Sequence, residues 1–248
     1  MGIEFGGKHE PPRILTTLGV PLLALTLFGC SSSDTPTPDQ PTRPGLELVQ
    51  NPSKINFASY DFSPVIILPP DYEVYDFTAG YDENRERHSD FGIGRFNEKR
   101  PGMYITDQFG GIRDIHMGLD IGAPVGTPVH AFFDGEIYTF GYNPDEGDYG
   151  NVIITKHRLD GVDLYALHGH LSADSITGLQ VGQFFSAGSV IGFVGDRHEN
   201  GNWNPHVHFQ LSLERPITHD MPGVVSDENR ADALQKYLDP RLVLGPIY

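Results

Sequence analysis

Two stretches far apart in the chain, His116-Met117-Gly118-Leu119-Asp120 and Pro205-His206-Val207-His208-Phe209, alternate polar and apolar residues with a period of two. On an extended strand that period sends residues i, i+2 and i+4 to one face. His116, Gly118 and Asp120 are therefore expected to share a face opposite Met117, Leu119 and Ile121, and His206 and His208 a face opposite Val207 and Phe209. Two imidazoles and one carboxylate form a three-ligand set for Zn²⁺ that leaves the fourth tetrahedral position open to water, the arrangement of catalytic zinc. Either stretch alone reads as the polar face of a half-buried strand. Both in one chain point to a metal site.

The rest of the chain is read against that pair. Gly-Ala-Pro-Val-Gly-Thr-Pro-Val at 122–129 is a turn-rich entry into short strands, and Val181-Gly182 and Ala187-Gly188 punctuate further apolar runs ending at Gly195. Asp134-Gly135 lies between Val129–Phe133 and Glu136–Phe140, and Asp160-Gly161 between Val152–His157 and Val162–Leu167. Each predicts a hairpin. Regular short strands with glycine turns predict an all-β chain, an antiparallel sandwich or barrel. Upstream, Val65–Leu68 closed by Pro69-Pro70 predicts a short buried strand, and Tyr72–Phe77 a second. Residues 45–102 are too short and polar for an independent domain and are expected to pack on the core as an extension. Downstream, Ser226 is expected to cap a helix from Asp227 to Leu238, with Ala231, Leu234 and Leu238 as its apolar stripe and Pro240 as its stop.

His-x-x-x-Asp at 116–120, Tyr165-Ala166-Leu167-His168-Gly169-His170-Leu171-Ser172 and Pro205–Phe209 together resemble the M23 (lysostaphin/LytM-like) zinc metallopeptidases, which cut peptide cross-links of bacterial peptidoglycan. The likeness runs from about Ile93 to Leu213. It implies an antiparallel β-sandwich of the LytM/lysostaphin type, here 103–215 followed by a tail, 216–248, with a short C-terminal helix. It also implies one Zn²⁺ per chain held by His116, Asp120 and His208, with His170 and His206 as the catalytic pair and peptidoglycan stem peptides as the substrate. The ion would acidify its bound water to a pKa of about 7, and the two histidines would move its proton and stabilise the oxyanion. His168 is read as a structural or supporting residue. His130 and His157 fall on strands as packed or edge residues, and His88 and His198 as solvated loop residues.

At the start of the chain, Lys8 and Arg13 precede the apolar run Ile14–Phe28, which is too short for a comfortable membrane span and suits a signal peptide over residues 1–29. Leu27-Phe28-Gly29-Cys30 resembles the lipobox of bacterial lipoproteins, with Cys30 as the lipidated residue. Residues 30–44, rich in Ser, Thr and Pro, read as a tether that reaches on the order of 40 Å. Ser31 after the cysteine implies a lipid-anchored protein of the cell envelope, on the outer membrane facing the periplasm. Cys30 is the single cysteine, so no internal disulfide can form.

The formal net charge is −16. The mature chain would keep it, because the leader carries as many acids (Glu4, Glu10) as bases (Lys8, Arg13). Such a surface disfavours nucleic acid and anionic headgroups as electrostatic partners. The sequence thus predicts a zinc endopeptidase of peptidoglycan cross-links, with the D-alanyl link preferred to glycyl-glycine. The alternative is a non-enzymatic LytM-like factor that binds the wall or regulates an amidase, and a further one is an enzyme kept latent by 45–102 in its groove. The oligomeric state is left open.

Overall fold

The structure, a computed structural model, describes residues 51–82 and 84–248. The expected leader, Cys30 and the tether lie outside the described residues. Among the described residues thirteen strands follow one another: β1 (Glu73–Val74), β2 (Gly92–Gly94), β3 (Ile115–His116), β4 (Leu119–Gly122), β5 (Pro128–His130), β6 (Gly135–Asn143), β7 (Gly150–Leu159), β8 (Val162–Leu171), β9 (Phe184–Phe185), β10 (Val190–Phe193), β11 (His206–Ser212), β12 (Val224–Val225) and β13 (Tyr237–Leu238). The two α-helices among the described residues, α1 (Arg230–Lys236) and α2 (Arg241–Leu244), are short and C-terminal.

The molecule is all-β around one large sheet of order β1-β2-β4-β11-β8-β7-β6-β9, with β13 added to β11. Its pairs are antiparallel except β1 with β2. Alternation gives this sheet two packed faces. On one, Leu119, Ile121, Val207, Phe209, Leu211, Ile153 and Ala166 pack with Val129, Ala131 and Ile191 around the separate β5–β10 ribbon, and with Ile55, Phe57, Val65, Ile66 and Ile93 from upstream. On the other, Val152, Ile154, Tyr165 and Leu167 meet Ile115, Met117, Val225 and Ala233 around the β3–β12 ribbon and α1. β11 is the keystone, because it places His208 opposite both Asp120 of β4 and Gly169 of β8.

Local turn chemistry explains the β7–β8 hairpin. Asp160 (φ 48°) and Gly161 (φ 79°) both take positive φ, as a two-residue type I′ turn requires. The other Asp-Gly does not make the expected hairpin. β5 pairs with β10, while β6 pairs with β7 and β9. Gly135 has no positive φ; a Cβ there would lie 2.6 Å from the Lys156 carbonyl oxygen, so the glycine serves close strand approach.

Four other expectations are corrected. Val65–Leu68 forms no strand: Pro64, Pro69 and Pro70 deprive the segment of ladder donors, and it packs through buried Val65 and Ile66 while Ile67 is exposed. Within Tyr72–Phe77 only Glu73–Val74 is strand. His116–Asp120 is two strands, because Met117 and Gly118 step from the β3–β12 ribbon into the main sheet, with Met117 N–H donating to the Gly223 carbonyl at 2.8 Å. The helix starts at Arg230 with no side-chain cap, Ala231 is exposed and Ala233 is buried instead. It ends at Lys236, since Tyr237 and Leu238 gain both burial and ladder pairing with Ser212 and Leu211.

Candidate active site

β4 and β11 run side by side, so the faces predicted to be polar meet. His116 Nε2, Asp120 Oδ1 and His208 Nδ1 converge, with separations of 3.0 Å between the imidazoles, 3.1 Å from His116 to Asp120 and 3.2 Å from His208 to Asp120. Three ligands of a tetrahedral zinc with bonds of about 2.0 Å stand about 3.3 Å apart. These three side chains are therefore spaced and chemically suited to hold such an ion, and among the described residues they are the one such group. His206 Nε2 lies 3.6 Å from Asp120 Oδ1 on the same face, and its ring lies tilted against that of His170 at 4.2 Å between centroids.

The acceptors behind each ring fix which nitrogen faces inward. His116 Nδ1 is 3.0 Å from the Arg95 carbonyl, which can only accept, so the proton sits on Nδ1 and the Nε2 lone pair faces the centre. His208 Nε2 donates to Gln210 Oε1 at 3.0 Å, and the Gln210 amide is oriented by donation from its Nε2 to the Pro222 carbonyl at 3.3 Å. This leaves Nδ1 of His208 as the inward lone pair. His170 Nδ1 donates to the Asn200 carbonyl at 2.8 Å and His206 Nδ1 to the Asn204 carbonyl at 2.6 Å. Both Nε2 atoms of the expected catalytic pair are thereby basic.

His170 reaches this face by breaking the strand period. The β7–β8 register slips so that Gly169 and His170 together oppose Val152, and His170 takes φ 63°, a left-handed conformation rare outside glycine. Its position is held by His170 N–H donating to the Tyr149 carbonyl and Gly195 N–H donating to its own carbonyl, both at 2.9 Å. His168, two residues earlier, lies on the opposite face against Phe209. Gly118 is needed for another reason. A Cβ there would sit 2.3 Å from His208 Nε2.

The electrostatics keep the site neutral at its bases and ionised at its acid. Burial pushes His116 down to about 4, helped by the Arg100 charge. Burial, then the neighbouring His206 and His208, hold His170 well below the usual imidazole range, and burial lowers His206 against the opposing pull of Asp120. Burial works against ionisation of Asp120, but His116 and Arg100 outweigh it and hold the carboxyl well below its ordinary value.

The structure brings together all five residues picked out for the site, His116, Asp120, His170, His206 and His208. It also shows supporting residues that the sequence reading missed. Gln210 continues the His206–His208 face by one more step of two, and that period was a signal for it. Asn200, fully buried, braces the 196–205 loop through the Gly195 and Trp203 carbonyls, and nothing in the sequence marks it. Arg95 and Arg100, upstream, reach His116 and Asp120. Away from the centre, His157 is buried and bonded to the Asp134 carbonyl, His130 is half-buried on β5, and His88 and His198 are exposed. An open cleft lined by Tyr75, Phe77, Tyr81, Tyr104 and Trp203 leads to the centre.

Residues 114–219 match peptidase family M23. The chain carries an M23 peptidase domain. Over 134 residues it is 40% identical to the DD-carboxypeptidase/endopeptidase Mpg of Neisseria meningitidis serogroup B, a match that covers 48% of this chain and 28% of that protein. It is 36% identical over 94 residues to the cell division protein DipM of Caulobacter vibrioides, covering 38% of this chain and 14% of that one. The matched part thus spans about a quarter or less of these relatives. Among solved structures, the catalytic domain of the antimicrobial peptidase lysostaphin from Staphylococcus simulans superposes with a TM-score of 0.39 at 24% identity, covering 57% of this chain and 96% of that one. The catalytic domain of the prophage-encoded M23 protein EnpA from Enterococcus faecalis gives 0.39 at 25%, covering 58% and 93%. The M23 domain's upstream boundary at 114 excludes Arg95 and Arg100.

Proposed function

We propose that this chain is a zinc endopeptidase that hydrolyses peptide cross-links of peptidoglycan, with His116, Asp120 and His208 as the metal ligands and His170 and His206 as the catalytic pair. The observation that carries this reading is the convergence of three inward donor atoms with two further imidazoles beside them, each ring with its outer nitrogen committed to an acceptor. A zinc ion there would supply a Lewis acid for the scissile carbonyl and lower the pKa of a water. His170 and His206, both neutral with Nε2 free, are placed to take a proton from that water and return one to the leaving amine. In its protonated form either ring stabilises negative charge on the tetrahedral oxygen. Such a site needs no serine or cysteine nucleophile.

The substrate assignment rests on the M23 domain and on the likeness to the DD-carboxypeptidase/endopeptidase of Neisseria, and an open cleft suits a peptide substrate. A D-alanyl link to a diamino acid is the preferred bond. The anchoring proposal, a lipid on Cys30 with residues 30–44 as a tether that holds the domain at the outer membrane facing the periplasm, rests on the sequence pattern at 14–30. A non-enzymatic binding factor would have no use for a complete set of ligands and bases.

The test is zinc content and release of soluble fragments from purified peptidoglycan, measured together on the wild type, His208→Ala and His206→Ala. One zinc per chain is expected in the wild type and His206→Ala and none in His208→Ala, with cleavage falling at least about 100-fold in both variants. Zinc without cleavage of any wall preparation would overturn the substrate, and absence of zinc would overturn the mechanism.

A further inference from the structure

A row of alternating charges runs from the surface into the centre through residues upstream of the M23 domain. Asp76, 64% exposed at its side chain, pairs with Arg95 at 2.8 Å, Arg95 with Glu98 at 2.6 Å, Glu98 with Arg100 at 3.0 Å, and Arg100 with Asp120 at 2.7 Å. The inner members are sealed from solvent, the Arg100 side chain being 2% exposed and that of Glu98 3%. A buried guanidinium is tolerated only where its donors are satisfied. Those of Arg100 go to Glu98 Oε2 (Nε), to Tyr104 Oη and Asp120 Oδ2 (Nη1) and to the Arg95 carbonyl (Nη2).

Two features make this more than a buried ion pair. The two oxygens of Asp120 are divided: Oδ2 is taken by Arg100, and Oδ1 alone faces His116, His206 and His208. The Arg95 carbonyl that accepts from Arg100 also accepts from His116 Nδ1, so one carbonyl registers the guanidinium and a ring of the metal set against each other. Gly94 leaves room for this, since a Cβ there would lie 2.8 Å from Arg100 Nη2.

We propose that Arg100 is a positioning residue for the metal-binding carboxylate: its guanidinium holds Asp120 Oδ2 so that a single oxygen is presented to the metal, and the Asp76-Arg95-Glu98 row holds the guanidinium in turn. The inference rests on the metal reading above. It makes the upstream segment a working part of the site. A chain trimmed to residues 114–219 would lack the clamp, and removing the segment would weaken the site rather than unmask it.

The effect of Arg100 on metal affinity has two opposing parts. Its charge competes with the metal for the carboxylate, while its fork prevents the carboxylate from turning. Outer partners of metal ligands are generally worth 10–100-fold in affinity, so orientation is the larger part. The experiment uses the full chain and measures zinc affinity by competition with a chromophoric chelator, together with the visible spectrum of the cobalt-substituted protein. The variants are Arg100→Gln, Arg100→Lys, Asp120→Asn and the double variant Arg100→Gln/Asp120→Asn.

Arg100→Gln is expected to weaken zinc binding about 10–100-fold and to change the cobalt spectrum. It is expected to add no further loss in the Asp120→Asn background, because it acts through that side chain. Arg100→Lys keeps a cation opposite Glu98 and is expected to fold and to lose less affinity, while still altering the cobalt spectrum, because an ammonium cannot reproduce the fork. It carries the test if Arg100→Gln does not fold. Affinity within twofold of wild type with an unaltered cobalt spectrum, or an equal loss in both backgrounds, overturns the clamp alone. A wild-type chain that binds no zinc overturns the metal reading and the clamp with it.

Discussion

Histidines lie at both faces of the large sheet, and the two sets behave differently. On the site face, His116, His170, His206 and His208 each have an acceptor for one ring nitrogen and turn the other toward a shared centre. On the core face, His168 packs on Phe209 with its Nε2 buried and unpartnered, and His157 packs on Phe132 with both nitrogens already bonded, to Thr155 and to the Asp134 carbonyl. Burial lowers pKa on both faces, to about 4 for His116, about 4 for His157 and about 3 for His168. A depressed imidazole is therefore no mark of function here. What separates the two sets is the direction of the free lone pairs, which converge on one face and do not on the other.

The sharpest way to break the site face while leaving the core face intact is Gly118→Ala. The added carbon would occupy the place of the His208 ring, and zinc affinity is expected to fall by more than about 100-fold while the apo protein melts cooperatively. Zinc binding at wild-type strength in that variant would show that the ring does not need its present place. Gln210→Leu comes next. With the acceptor for His208 Nε2 gone the tautomer is no longer fixed, and affinity should drop about 10–100-fold by chelator competition, with His208 itself still present.

The smallest effect belongs to the core face and appears only with acid. Both core histidines have folded pKa values below the ordinary 6.5, so folding favours their neutral forms. Their stabilising contribution is complete above pH 6.5 and is lost as pH falls from there through about 4 and about 3, by on the order of 2 kcal/mol each at pH 4.5. His168→Leu, studied with the metal chelated, is expected to be near neutral at pH 7.5, where it removes an unpartnered buried nitrogen, and to melt less readily than wild type at pH 4.5. Equal pH slopes of the melting temperature in the two proteins would contradict this.

What could be read from the sequence was what short-range periodicity encodes. The alternation in Pro205–Phe209 gave the orientation of His206 and His208, and the Asp160-Gly161 pair gave its hairpin because both residues adopt the positive φ of that turn. The same dipeptide at 134–135 misled, since what Gly135 answers to is the Lys156 carbonyl of a strand beyond any local window. The C-terminal helix was read too long for a similar reason, as pairing with β11 claims Tyr237 and Leu238. His168 and His170 look equivalent on a period of two, and only the bulge, with its left-handed residue, assigns them to different faces. Arg100 carried no signal at all. In the sequence it is one charge in a polar stretch, and its meaning comes from Asp120, with which it shares no strand.

β11 enters the large sheet between two strands that precede it by a long way in the chain, β4 and β8. Until it docks, His116 and Asp120 have no His208, and the facing edges of β4 and β8 have open backbone groups. On the proposed reading, metal affinity would be a property of the finished topology and absent from any fragment that ends before β11. By mass action the ion adds stability only to chains whose last long strand has been inserted. The pairing of β11 with β4 is non-local, which is expected to slow the approach to the native state, and β4 and β8 would present open edges until β11 docks. Free zinc during refolding should accordingly raise the yield of native protein without raising the rate at which it first forms.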